Sequence, residues 1–132
     1  MGFGASQQSN MKIKEIGFVA IPVTDIVRAR KFYEGVLGLQ KSGEFLESKW
    51  IEYGIGKDTL AITDVSVSDP WRPSDQGTGV ALEMEDFDAA IAELKKANVQ
   101  FAAEPFETPV CHIAVVQDPD GNKLMIHKLK SA

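Results

Sequence analysis

A strand–turn–helix unit that occurs twice, sixty-one residues apart, constrains this chain more than any other feature. In the first copy, residues 18–39 (FVAIPVTDIVRARKFYEGVLGL), Val19, Ile21 and Val23 alternate with Phe18, Ala20 and Pro22, as a half-buried strand requires. The period changes at Thr24-Asp25, where the Asp25 carboxylate can accept from the free backbone N–H groups of a helix start. Ile26, Ala29, Phe32, Tyr33, Val36 and Leu37 then recur at helical spacing, and Gly38 stands where a helix end favours a left-handed residue. The second copy, residues 79–99 (GVALEMEDFDAAIAELKKANV), repeats each step. Val80, Leu82 and Met84 alternate with Gly79, Ala81 and Glu83; Asp86 is the cap; Phe87, Ala90, Ile91 and Leu94 form the stripe; Asn98 closes the helix. The offset is sixty-one from Phe18 to Gly79 and from Asp25 to Asp86, and sixty from Gly38 to Asn98. An offset held so closely argues for a duplicated module.

The remaining segments complete each copy in the same way. The first module continues with strands at 39–46, 48–55 and 58–64, the last pair joined by a hairpin turn at Gly56-Lys57-Asp58. Residues 65–78 carry two prolines and no period, and read as the inter-module linker. The second module continues with strands at 99–102, 109–117 and 122–128, the last two joined by Asp118-Pro119-Asp120-Gly121, a strong turn signal. The expected fold is therefore α+β, with two βαβββ modules at 12–64 and 79–130 forming one domain behind a flexible tail at 1–11; the first strand is expected over 12–23. With a helix on one face of each sheet, the other faces curve toward each other as a half-barrel around a cleft. Strand parity places Phe18, Ala20, Thr59, Ala61, Thr63, Gly79, Ala81, Glu83, Met125 and His127 on those faces, an assignment that one bulge would partly invert. Parity leaves open whether Trp50 and Glu52 or Ile51 and Tyr53 point inward.

Composition removes several functions. A net charge of −5 argues against a general nucleic-acid binder. No run is apolar and long enough to span a membrane, and residues 1–10 lack the apolar centre of a signal peptide. A lone cysteine, Cys111, has no internal disulfide partner, which points to a reducing, cytoplasmic compartment. Cys111 and His112 are adjacent in a strand and point to opposite faces, so they do not form a nucleophile–base pair.

The two module stretches, together with DPDGNKLMIHK at 118–128, resemble the vicinal oxygen chelate superfamily, which holds glyoxalase I, the extradiol dioxygenases and the bleomycin-resistance proteins. The resemblance spans about residues 12 to 129 and implies paired βαβββ modules around a pocket. In metal-dependent members the ligands come from the first and fourth strands of each module. Mapped here, those positions are Phe18, Ala61, Gly79 and Met125, none of which offers a nitrogen or oxygen side-chain ligand. The resemblance therefore implies no metal and no cofactor, and points to the branch whose homodimers sequester small molecules in clefts.

Glu83 and His127 are the titratable groups parity assigns to the cleft, as acid–base candidates or as ligand contacts. Trp50, Tyr53 and Trp71 are possible aromatic walls, although Trp71 could equally pack on the rim of its own domain. Three readings compete: a binding protein for a flat, apolar and possibly cationic compound; a metal-independent lyase or isomerase using Glu83 and His127; and an interaction module with a filled cleft.

Overall fold

The computed structural model describes residues 10–12, 14–64, 73–74 and 78–131. Each module forms the expected strand, helix and three strands. In the first, β1 (Val19–Pro22), α1 (Ile26–Arg30), β2 (Gln40–Phe45), β3 (Trp50–Ile55) and β4 (Asp58–Thr63) build a sheet of order β1-β4-β3-β2. In the second, β5 (Thr78–Glu83), α2 (Phe87–Lys96), β6 (Phe101–Glu107), β7 (Cys111–Gln117) and β8 (Lys123–Leu129) build the sheet β5-β8-β7-β6. The two sheets have the same mixed pattern: β1 pairs with β4 in parallel, β5 with β8 in parallel, and the remaining pairs are antiparallel.

Both helices start as their sequences require. Asp25 accepts from Arg28 N at 3.0 Å and Asp86 from Ala89 N at 3.0 Å, each satisfying one orphan donor of a first turn. Both close on a left-handed residue, Gly38 at φ 72° and Asn98 at φ 61°. They differ in between. Lys31–Val36 continues α1 in π-helical hydrogen bonding, with Leu37 N donating to Phe32 O at 2.9 Å. A π turn accommodates one extra residue. That residue accounts for the fall in offset from sixty-one at the caps to sixty at the helix ends.

Two strand limits differ from expectation. The first strand is short, Val19–Pro22, and the described residues before it are irregular and mostly exposed. The β6 strand is longer than the expected 99–102 because Pro105 falls where the β6–β7 register shifts, between Ala103 and Phe106, and needs no ladder donor there.

The apolar stripes of both helices meet the inner sheet faces in one core that includes Ile21, Tyr33, Ile51, Tyr53 and Ile62 from the first module and Phe87, Leu94, Val116, Leu124 and Ile126 from the second. A polar knot joins the modules. The buried Asp118 carboxylate accepts from Tyr33 Oη at 2.8 Å, Asn122 Nδ2 at 2.9 Å, and the backbone N–H groups of Asp120 and Asn122 at 2.9 Å each. Asn122 Nδ2 also donates to Pro22 O at 2.9 Å, and Arg28 pairs with Asp120 at 2.8 Å. The DPDGN turn of the second module is thereby the anchor for the helix start of the first.

Candidate functional site

Register decides which side chains the helices leave uncovered. In the first sheet, Ala20 is opposite Ala61, Glu52 opposite Ala61 and Trp50 opposite Thr63, so these residues share the face away from α1. Phe18 joins them through an edge-to-face contact with Trp50, with ring centroids 5.5 Å apart. Trp50 Nε1 donates to Glu52 at 2.9 Å. The open member of the pair left undecided by parity is therefore Trp50 with Glu52. Tyr53, expected as a cleft wall, is instead fully buried on the helix side, where its hydroxyl donates to Glu34 at 2.8 Å and its ring stacks on Tyr33. Ala61 is also corrected. Its register puts it on the open face, but it is 0% exposed between Ala20 and Glu52 and offers no surface.

In the second sheet, Ala81, Met125 and Val115 are in register, as are Glu83, His127 and Ile113. These rows form the open face, with Glu83 and His127 as neighbours on adjacent parallel strands. Glu83 Oε1 lies 2.5 Å from His127 Nδ1, and Oε2 accepts from Leu129 N at 2.9 Å. The His127 contact, and then the Leu129 N–H, hold the Glu83 carboxyl below the usual carboxylate range. Cys111 lies opposite Leu129 and His112 opposite Lys128, which puts them on different faces as their adjacency implied.

Gly79 departs from the parity reading. The β5–β8 register shifts between Thr78 and Val80, so Gly79 is the extra residue of a bulge, at φ 83°. It belongs to neither face by alternation and contributes backbone alone. A cavity of about 410 Å³ nonetheless brings it close to Phe18: its lining runs from Phe18 and Val19 past the polar Asp58 and Thr59 to Gly79 and Ala81. Residues of both parities line it, so it follows the edges of β1 and β5, which face each other without pairing. Its volume is within the range of small-molecule sites, about 300–1,000 Å³.

Phe18, Gly79 and Ala81 thus meet in one cavity, whereas Ala20 and Trp50 on the first open face and Glu83, Met125 and His127 on the second are not part of its lining. Trp71 lies outside the described residues. Sequence reasoning missed Phe45, whose ring lies over Gly43 and is half exposed beside Trp50. The signal for it was the β2–β3 hairpin register, which needs the turn at 46–49 to be placed first.

Phe18, Ala61, Gly79 and Met125, the positions from which related folds hold a metal, do not fit one: two are apolar side chains, one is buried Ala61 and one is a bulge glycine. Among the described residues, no group of three or more His, Cys, Asp or Glu side chains is placed to hold a metal ion. No described helix is long and apolar enough to cross a membrane.

Comparison with known proteins agrees with this architecture. The family model described as the Glyoxalase/Bleomycin resistance protein/Dioxygenase superfamily matches residues 15–126. Among solved structures, TnmS3, an antibiotic-binding protein from Streptomyces sp. CB03234, superposes with a TM-score of 0.77 at 24% identity, covering 92% of this chain and 100% of that one. A superfamily member from Sphaerobacter thermophilus DSM 20745 gives 0.76 at 24% identity, covering 88% and 98%. A glyoxalase/bleomycin resistance protein from Streptomyces sp. CB03234 gives 0.68 at 26% identity, covering 83% and 96%. No curated protein matches the sequence.

Proposed function

Since the chain belongs to the glyoxalase/bleomycin resistance protein/dioxygenase superfamily, we propose that it is a binding protein for small molecules, holding a flat apolar compound without a metal. The observation that carries this reading is the pairing of an open apolar cavity with the loss of every ligating side chain at the mapped metal positions. The cavity is bounded by Phe18 and Ala81, and the open faces beside it present Trp50 on one sheet and Met125 on the other. The likeness to TnmS3, an antibiotic-binding protein, supports the same reading. Burial of the ligand's apolar surface supplies most of the affinity, at roughly 25 cal/mol per Å². Glu52 and Glu83 favour a positive charge on the ligand. A second copy of the chain covers the exposed Phe18, Phe45, Phe106 and Leu129, giving a homodimer in the cytoplasm.

The test is tryptophan-fluorescence titration with planar cationic, neutral and anionic compounds, repeated with Ala81→Phe. Ala81 is used rather than Gly79 because any side chain at φ 83° is strained for reasons unrelated to binding. The variant should lose binding while keeping the fold. Equal binding by Ala81→Phe, or a preference for anions, contradicts the proposal.

The Glu83–His127 contact favours one second reading, a metal-independent lyase or isomerase with these residues as its acid–base pair. Turnover abolished by His127→Phe with ligand affinity retained would put that reading first.

A further inference from the structure

We infer that the Glu83–His127 pair sets the hydrogen-bond polarity of the open sheet face next to the cavity, one row beyond Ala81 and Met125, presenting His127 Nε2 as an acceptor and so selecting planar ligands that carry a hydroxyl donor. The inference rests on the small-molecule reading above and deepens it by naming the ligand's polar group.

The argument starts from the carboxylate. Glu83 is exposed, ionised at neutral pH, and able only to accept hydrogen bonds. Both of its oxygens are engaged: Oε2 receives the Leu129 N–H at 2.9 Å and Oε1 lies 2.5 Å from His127 Nδ1. The proton in that second contact must come from the ring, so Nδ1 carries it. In a neutral imidazole the other nitrogen is then a lone-pair acceptor. Nε2 has no hydrogen-bond partner among the described residues, and the His127 side chain remains 23% exposed. Its surroundings on the open face are apolar, with Met125 two residues earlier on β8 and Ile113 opposite on β7. An unpaired acceptor beside apolar surface rewards a ligand that brings a donor and penalises one that brings a second acceptor.

Replacing one atom of Glu83 should invert this preference. In Glu83→Gln the Leu129 N–H still requires an acceptor, so the amide oxygen takes the place of Oε2. The amide NH₂ then faces Nδ1, which must accept, and the ring proton moves to Nε2. The same imidazole now presents a donor.

The probes are β-naphthol, a hydroxyl donor, and methyl naphthyl ketone, an acceptor of similar shape. Both are titrated at about pH 8. The parent should bind naphthol about tenfold more tightly than the ketone, the discrimination one hydrogen bond supports. Glu83→Gln should reverse the order, and His127→Phe should bind the two alike. A merely structural role for the pair would change both affinities together and leave their ratio intact. Equal binding by the parent, or an unchanged order in Glu83→Gln, overturns the inference while the binding reading stands. Failure of both probes to bind the parent overturns both.

Discussion

Removing the Tyr33 hydroxyl should destabilise the protein more than removing any other phenol, because it alone joins the modules through a buried carboxylate. Tyr33 is 0% exposed and Asp118 5% exposed, so water cannot replace the lost donor in Tyr33→Phe. A hydrogen bond to a charged group contributes about 1.5–3 kcal/mol. Asp118 keeps three other donors, the Asn122 amide and two backbone N–H groups, which places the cost toward the middle of that range, about 2 kcal/mol. Tyr53→Phe is the internal control. Its acceptor, Glu34, also receives Arg30 at 2.7 Å and is 30% exposed, so the loss there should be about 1 kcal/mol or less. The assay is urea unfolding followed by tryptophan fluorescence and circular dichroism. With a slope of about 1–3 kcal/mol per molar urea, Tyr33→Phe should lower the midpoint by about 1 M. A change within about 0.5 kcal/mol of the parent, near the scatter of ordinary surface substitutions, would refute the reasoning. So would a larger cost for Tyr53→Phe.

Burial first, and then the Asp118 and Glu34 carboxylates, push the phenols of Tyr33 and Tyr53 far above the ordinary tyrosine value of about 10. Because these are raised values, the associated stability is complete below that pH and declines as pH rises past it. Absorbance titration should show no tyrosinate until the chain unfolds, and then both residues at once; gradual ionisation of either in the folded state contradicts the placement. Leu46, Glu47 and Ser48 are consecutive left-handed residues in the β2–β3 turn, at φ 54°, 54° and 67°. Glu47→Gly should therefore stabilise the protein by about 0.5–1 kcal/mol, relief of left-handed strain exceeding the added chain entropy, and a destabilised variant would show the turn is not strained. Sedimentation at tens of micromolar (roughly tenfold or more above the nM–μM range of stable dimers) should give a dimer, and a monomer at that concentration removes the homodimer from the proposal.

The duplicated module was legible because its two copies test each other: Asp25 and Asp86 cap helices, and Gly38 and Asn98 close them, as their matched spacing required. The slip of one residue between the copies was visible too, but its cause, a π turn in the first helix, depends on backbone hydrogen bonding that side-chain pattern does not encode. Alternation placed Ala81, Glu83, Met125 and His127 on one face correctly, since β8 is regular throughout. It failed at Gly79, where a bulge adds a residue without changing the apolar pattern around it. Tyr53 was ambiguous for a different reason. Both faces of β3 carry an aromatic residue, Trp50 or Tyr53, and only the tertiary packing of Ile51 and Tyr53 into the helix-side core, with Tyr53 stacked on Tyr33, distinguishes them. Parity put Glu83 and His127 on the cleft face without fixing their spacing; their contact comes from the parallel register of β5 and β8.

The Tyr33–Asp118 bond has a bearing on synthesis. Its partners are 85 residues apart, and the acceptor belongs to the second module. When the first module emerges from a ribosome, the Tyr33 hydroxyl has no carboxylate to meet, and the Pro22 carbonyl no Asn122 amide. Until the second module is made, those two groups at the future interface can be satisfied only by water. Completion of the DPDGN turn then supplies, in five consecutive residues, the acceptors for Tyr33 and Arg28 and the donor for Pro22. The start of the first helix is thereby tied to a turn made some ninety residues after it.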